Sequence, residues 1–584
     1  MTTLEEPARP ATPRSPARAE SRAERLLGGT RELVLVALAG VLLAVLVTWP
    51  LVLHPGHRIA QDLGDPVRTA WQLAWTGHAL LHSPTHLWQS NAFYPLSNTL
   101  AFSDSLLGYA PAGLIGHGEV AALVRYNLLF LFAYSLAFAG AYYLGRELGL
   151  KPWSAAVVGV AFAYAPFRST MNGHLHVISS GGIPLSLFLL LRGYRTQRRG
   201  MVFAGWAVAA WQFSLGFTLG LQLAYLLAVL AVIAALFWWR RGRPSLPRAL
   251  VTPTLAGLVL CAVVGVFQAR PYLKVSDDFG SARRSITQLE SYSASPKAFL
   301  AATPQNRIWS GATRGIRNSL RSPNEDPLFP GIAILALAVT GVTAGAVYSR
   351  GLRIGLAAGV LVCAVLSLGL GFLGGRVSYR LLYDYAPGWD GVRTPGRIVT
   401  LTSLGLALLA GAGAQRVVEA LRSRGRLAIA AAVALPVVVF AEGSWTLWKP
   451  HVPKAPAAQA GLRGPQLHLP LHPSNDRLYQ FWSVDGFPKI YNGVSTFDIP
   501  SQDKLRRDMR LFPNRHTIHE AEKLGIRTIV LHTNLDRVPL PPPQTIKREP
   551  ADPRAAAAKP ARRYGVHVRR EPGLVIYTLP KGRS

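Results

Sequence analysis

Three carboxylates near the start of the chain have the type and setting for acid–base chemistry. Asp62 and Asp65 lie in HPGHRIAQDLGDPVRTAWQLAW, just after the first long apolar run, and Asp104 follows in FSDS. A carboxylate held at a membrane surface beneath a roof of protein can take the proton of an attacking hydroxyl. Asp65 also has a structural reading. Asp65-Pro66 matches an N-cap followed by proline at the first helical position, opening an amphipathic helix through Trp71 and Trp75, and the two readings are compatible. Asp62 reads as a loop acid, and Asp104 as a second site acid or another helix cap. Trp71, Trp75, Trp88, Phe93 and Tyr94 fit an interfacial helix lying in the headgroup zone.

Cations and hydroxyls gather in three further stretches. FRSTMNGHLHV carries Arg168, Asn172, His174 and His176. Two histidines one residue apart can bind a metal, but no neighbouring carboxylate completes a set, so hydrogen bonding or phosphate contact is the better reading. Residues 268–327 mix Arg270, Lys274, Arg283, Arg284 and Arg307 with Asp277, Asp278, Glu290 and Glu325 and with Tyr272 and Tyr292. Arginine forks match phosphate, and carboxylates or tyrosines match sugar hydroxyls. The competing reading is a solvated loop whose charges pair with one another. In RVSYRLLYDYAPGWDGVRTPGRIVTL, Arg393 and Arg397 lie four apart around Pro395. If a helix starts there they share a face near its positive end, as a phosphate cradle or as a snorkelling pair.

The elements that must hold these residues are membrane helices. Of 584 residues, 50% are hydrophobic and 16% charged. Apolar runs of roughly 18 to 22 residues, the length that crosses about 30 Å of hydrocarbon, recur over the first three quarters of the chain. Eleven spans are expected near 32–53, 123–145, 153–167, 177–191, 201–214, 218–239, 249–267, 328–348, 354–372, 398–415 and 427–445. The third to fifth are short for a full crossing and fit tilted partners in a bundle. The first exceeds a signal peptide's apolar core and lacks a small-residue cleavage site, so it is expected to stay.

Arginines in the short connections (Arg192, Arg195, Arg198 and Arg199; Arg240, Arg241 and Arg243; Arg416, Arg422, Arg424 and Arg426) fall on the side of an Arg/Pro/Ala-rich tail over residues 1–31. This predicts a disordered cytoplasmic N-terminus and a multi-pass plasma-membrane protein with its C-terminus outside. The net charge of +32 is thereby assigned to helix ends facing anionic lipid, and nucleic acid is not an expected partner. Cys261 and Cys363 sit in apolar segments as small hydrophobes, with no disulfide or metal role.

Three units follow: the tail 1–31; a transmembrane unit 32–450 with exterior loops 54–122, 268–327 and 373–397; and an extracytoplasmic α/β domain 451–584 with a flexible insert near 536–562. In the last unit QLHLP, RTIVLH, YGVHV and LVIYTL read as strands and HTIHEAEKLGI as a helix ended by Gly525. It suits a binding lid or substrate platform.

The order of several motifs resembles the GT-C superfamily of integral membrane glycosyltransferases, in particular its bacterial YfhO-like members. The matching pieces are GDPVRTAWQLAW, NAFYPLSNTLAFSD, FAYAPFRSTMNGHLHVISS, PYLKVSDDFGSARRSITQLESYSAS, EDPLFPG, PGWDGVRTPGRI, KIYNGVSTFDIP and LGIRTIVLH. The resemblance implies a GT-C-like polytopic α-helical fold and inverting transfer of a hexosyl or pentosyl group on the outer face. The donor is a polyprenyl-phosphate-linked sugar, and a glycan, lipid or protein is the acceptor. It gives the role of base to Asp65, with Asp62 and Asp104 in reserve, and the donor phosphate to Arg393, Arg397, Lys274 and Arg283. His174, His176, Glu290, Tyr292 and Glu325 are the expected substrate contacts. Metal ligands are unknown, with magnesium or manganese as an optional helper and no other cofactor. The chain departs from the superfamily's commonest pattern in having no adjacent acidic pair in the first exterior loop. Two rivals are a transporter or flippase of a lipid-linked glycan and an inactive GT-C-like envelope assembly protein.

Overall fold

The computed structural model describes residues 22–242, 247–535 and 553–580. Each of the eleven apolar runs forms a helix: Arg22–Thr48, Gly118–Glu147, Pro152–Ala163, Gly182–Thr196, Arg199–Leu215, Phe217–Arg240, Arg248–Asp278, Ile332–Ala344, Arg350–Ser367, Val399–Ala420 and Arg426–Gly443. Among the described residues eight helical segments are long and apolar enough to cross a membrane, with Pro152–Ala163 and Ile332–Ala344 as shorter apolar helices. The protein is a multi-pass α-helical membrane protein.

Several boundaries differ from expectation. The first helix starts at Arg22, inside the expected 1–31 tail, whose first part lies outside the described residues. The Arg248–Asp278 helix runs past residue 267 with Pro271 inside it, so Lys274, Asp277 and Asp278 ride on its polar end rather than in a loop. Polarity marks where the hydrocarbon ends, whereas the hydrogen-bond ladder continues until its carbonyls find no further donors.

Helices in this bundle approach closely where side chains vanish. A Cβ on Gly413 would stand 1.9 Å from the carbonyl of Leu337, and one on Gly341 would stand 2.0 Å from that of Leu409. Only glycine lets Ile332–Ala344 and Val399–Ala420 touch there. The start of Ile332–Ala344 is held by Glu442, which is 5% exposed. Its Oε1 accepts from Ile332 N at 2.6 Å and Trp309 Nε1 at 3.0 Å, and its Oε2 accepts from Ala333 N at 2.9 Å. A buried carboxylate on a helix N-terminus satisfies amides that nothing else reaches. Glu442→Ala is therefore expected to cost about 3 kcal/mol and to lower Tm in a detergent-solubilised thermal melt.

The C-terminal unit is a four-stranded sheet, with β1 Gln466–Leu469, β2 Thr528–His532, β3 His567–Glu571 and β4 Leu574–Thr578 in the order β1-β2-β4-β3. β1 and β2 are parallel and the other pairs antiparallel. β1 and β2 are buried throughout, the pattern of a sheet covered on both faces. Of the expected flexible insert near 536–562, residues 536–552 lie outside the described residues, while Pro553–Ala558 is a short helix.

This domain is tied to the bundle's long connections by backbone as well as side chains. Tyr94 N donates to Ile490 O at 3.0 Å, Ile490 N to Asn91 O at 2.8 Å, and Thr496 N to Phe102 O at 2.9 Å. The KIYNGVSTFDIP segment thus runs along the first long connection. Arg284 of the second long connection clasps it from the other side, its Nη1 2.8 Å from Thr496 O.

Candidate active site

The Asp65–His82 helix forms the floor of the cluster, with Gly64 as its N-cap and Pro66 in its first turn. The expectation that Asp65 is the N-cap is corrected: Asp65 is already helical, and Gly64 takes the cap position. The carboxylate turns instead to Arg477, which donates from Nε to Oδ1 at 3.2 Å. Asp62 stays in the loop, where its Oδ1 accepts from Gly64 N at 2.7 Å.

The headgroup-zone reading of this helix is also corrected. Trp71 and Trp75 are buried and donate to Asn91 Oδ1 at 3.0 Å and to Gln89 O at 3.1 Å. The apolar face that the sequence presents is covered by protein, including the Pro473–Trp482 helix of the C-terminal domain, rather than by lipid. Gly77 and Gly113 let the helix lie against the following turn, since a Cβ on Gly77 would stand 2.1 Å from Gly113 C.

From this helix a polar chain leads across the site. Arg68 Nη1 donates to Gln72 Oε1 at 3.1 Å, and Gln72 Nε2 donates to the backbone oxygen of Asp104 at 2.6 Å. Asp104 lies in the cluster and meets the start of a helix distant in sequence. Its Oδ1 accepts from Phe217 N at 2.7 Å, at the start of the Phe217–Arg240 helix, and its Oδ2 lies 3.3 Å from His176 Nε2. Arg397 Nη1 is 3.3 Å from the same His176 nitrogen. Arg397 is buried at the entry to Val399–Ala420, within electrostatic reach of Asp104, Arg393, Glu325 and Asp65. Arg393 is half-buried with its guanidinium 4.8 Å over the Tyr292 ring. The two arginines do not share a helical face, because Pro395–Ile398 is a 3-10 turn and the α-helix begins only at Val399.

Burial would raise the Asp65 carboxyl, but Arg68, Arg477, His174 and His176 together hold it well below the usual carboxylate range. Its side chain is 32% exposed, although protein surrounds it at longer range. Asp104 is likewise lowered: burial opposes ionisation, and His176, Arg397 and the Phe217 amide outweigh it. Burial and then Arg393 lower Arg284 to about 10, so it keeps its proton at neutral pH. Burial depresses His174, whose Nδ1 has no protein partner.

The structure thus brings together Asp65, Asp104, His174, His176, Glu325, Arg393, Arg397 and Tyr292. It does not bring in Lys274, which pairs with Asp278 at 3.4 Å, or Arg283, which pairs with Asp277 at 3.1 Å, both on the exposed end of their own segment. Glu290 pairs with Arg321 at 3.6 Å, also exposed. Arg168 is buried as a staple of its own turn, donating to Ser180 Oγ at 3.0 Å and Ile178 O at 2.9 Å. Sequence reading missed Arg68 and Arg477 and did not single out Arg284. Arg68 carries a signal, since it lies three residues after Asp65 on one helix. Arg477 carries none, being 412 residues away.

Among the described residues no group of three or more His, Cys, Asp or Glu side chains converges as a metal site. Asp65 and Asp104 are each turned to a cation, an imidazole or an amide, so they form no oxygen cage for magnesium or manganese.

No family model matches the chain, and no curated protein does. Among solved structures it is similar to the arabinofuranosyltransferase AftD from Mycobacteria, at TM-score 0.52 and 16% identity, covering 94% of this chain and 40% of that one. The chain has the GT-C fold. Other GT-C structures to which it is similar are the Archaeoglobus fulgidus oligosaccharyltransferase and ArnT from Cupriavidus metallidurans bound to undecaprenyl phosphate. The first has TM-score 0.40, 14% identity and coverage of 86% and 69%; the second has TM-score 0.37, 14% identity and coverage of 94% and 98%. The chain spans less than half of AftD's length. The narrower YfhO-like resemblance rests on its motifs alone. The cluster lies where the first and later long connections meet the C-terminal domain.

Proposed function

We propose that the protein is a glycosyltransferase that moves a hexosyl or pentosyl group from a polyprenyl-phosphate donor to a hydroxyl acceptor on the extracytoplasmic face, with inversion. The observation that carries this is one carboxylate, Asp65, set among arginines and partly exposed, within a bundle of the GT-C fold. Displacing a phosphate from a sugar carbon requires a group that accepts the acceptor's proton and groups that stabilise the leaving anion. The arginine-rich short connections favour a cytoplasmic N-terminus, which puts the cluster outside.

In the step, an Asp65 oxygen takes the proton of the acceptor hydroxyl as the hydroxyl oxygen, not the carboxylate, bonds to the anomeric carbon. The bond from that carbon to the phosphate oxygen breaks, and its electron pair leaves with polyprenyl phosphate. Arg393 and Arg397 face the developing phosphate charge, while His174, His176, Tyr292 and Glu325 are available to sugar hydroxyls. The single displacement inverts the anomeric carbon.

Arg393 is a clean test of the phosphate role, since its guanidinium lies over the Tyr292 ring and, among the described residues, no ion pair to a carboxylate holds it. Arg393→Ala is expected to weaken binding of undecaprenyl phosphate to the purified protein roughly ten- to a hundredfold, as loss of a charged hydrogen bond does. A titration with unchanged affinity would remove Arg393 from the donor site.

A further inference from the structure

We propose that Arg477, carried to the bundle by the C-terminal domain, is the positioning residue of Asp65: it holds the carboxylate in the orientation from which it accepts the proton. The inference rests on the reading of Asp65 as the base. The guanidinium is fixed from both ends, with Nε donating to Asp65 Oδ1 at 3.2 Å and Nη1 donating to Pro473 O at 3.2 Å. Its helix, Pro473–Trp482, is itself pinned. His472 Nδ1 accepts from Ser474 N at 3.2 Å, and Asn475 Nδ2 donates to Pro470 O at 3.2 Å. Asp476, one residue away, is buried and bonded to Asn492 at 2.8 Å and Arg506 at 3.2 Å. The arm that reaches Asp65 is therefore rigid.

Stability does not explain the contact. The two side chains are 24% and 32% exposed, and ion pairs that open to solvent contribute little to folding. Nor is Arg477 needed to neutralise Asp65, because Arg68 already lies beside it. What Arg477 adds is direction and a further lowering of basicity.

The sign follows from the groups that face Asp65. They are Arg68 on its own helix, Arg477 on the C-terminal helix, His174 and His176 on the turn between bundle helices, Tyr126 on Gly118–Glu147, and Arg397 at the entry to Val399–Ala420; Asp62 shares its loop and also faces Tyr126. Burial favours the protonated acid, and the cations oppose it. Removing Arg477 raises the Asp65 carboxyl, so the ionised form the reaction needs is lost at a higher pH.

The test uses the full chain in lipid nanodiscs. Transfer is driven by polyprenyl-phosphate sugars extracted from host membranes, and kcat/KM is followed against pH. In parallel the Asp65 carboxyl band is followed by infrared pH titration, assigned by difference from Asp65→Asn. Arg477→Gln, and Arg477→Met, which keeps the aliphatic stem, are expected to move the acid limb and the band midpoint upward by about one to three pH units. Arg477→Lys should move both less. A limb and band in the Gln and Met variants that coincide with the native ones overturn the inference. The two readings separate: full transfer by Asp65→Asn with a band that still shifts in Arg477→Gln removes the base but keeps the coupling. An inactive Asp65→Asn with an unmoved band removes Arg477 alone.

Discussion

Asp65→Asn is expected to lower sugar transfer a hundredfold or more at every pH, with little change in Tm. The general-base contribution alone is of that order. The amide keeps the size of the carboxylate and still accepts from Arg477, whose loss of an exposed ion-pair partner has a small effect on folding. Donor affinity should stay within a few-fold, because the proposed phosphate contacts are Arg393 and Arg397. The measurement is kcat and KM for transfer by purified variant and native protein, with undecaprenyl phosphate binding as the control. A variant that transfers at the native rate removes Asp65 from the chemistry and leaves Asp104, held by His176 and the Phe217 amide, as the next acid.

Arg397→Gln is expected to have an effect of similar size through a different term. This guanidinium is buried, 3.3 Å from His176 Nε2, and balances Asp104 and Glu325. Loss of one preorganised donor to a developing anion typically lowers kcat by about 10² to 10³. Here undecaprenyl phosphate binding should fall as well, because product and transition state share the anion. Arg397→Lys restores the charge but not the planar fork, so it should recover only part of the rate. Tm should drop in the Gln variant, since Asp104 loses part of its compensation in a buried setting. A Gln variant with reduced Tm but native kcat per folded molecule would make Arg397 purely structural.

Much of the bundle is legible in the chain because hydrocarbon imposes a length and a composition, and every apolar run became a helix. Edges were less legible. The Arg248–Asp278 helix carries charged residues on its last turns, and a charge ends a hydrophobic segment without ending a helix. The amphipathic pattern through Trp71 and Trp75 identified a helix correctly but not its cover, since an apolar face looks the same whether lipid or a protein domain lies against it. Within the site, Asp65, Asp104, His176 and Arg397 were legible as residue types out of place in a membrane protein's connections. That His176 links Asp104 to Arg397 was not, because those residues come from three separate connections. Lys274 and Arg283 looked like phosphate ligands by type, yet each has an acid within reach on its own segment. Local pairing is the default for an exposed charge.

Glycosyl transfer at Asp65 requires that the donor's sugar–phosphate bond be broken. The direct measurement uses native protein in proteoliposomes, radiolabelled polyprenyl-phosphate sugar extracted from host membranes, and a glycan extract from the same cells as acceptor. Free polyprenyl phosphate is expected to appear in step with labelled acceptor, and both are expected to disappear in Asp65→Asn. Intact donor moved across the bilayer, with no free polyprenyl phosphate released, would contradict glycosyl transfer and make the protein a transporter of the lipid-linked sugar.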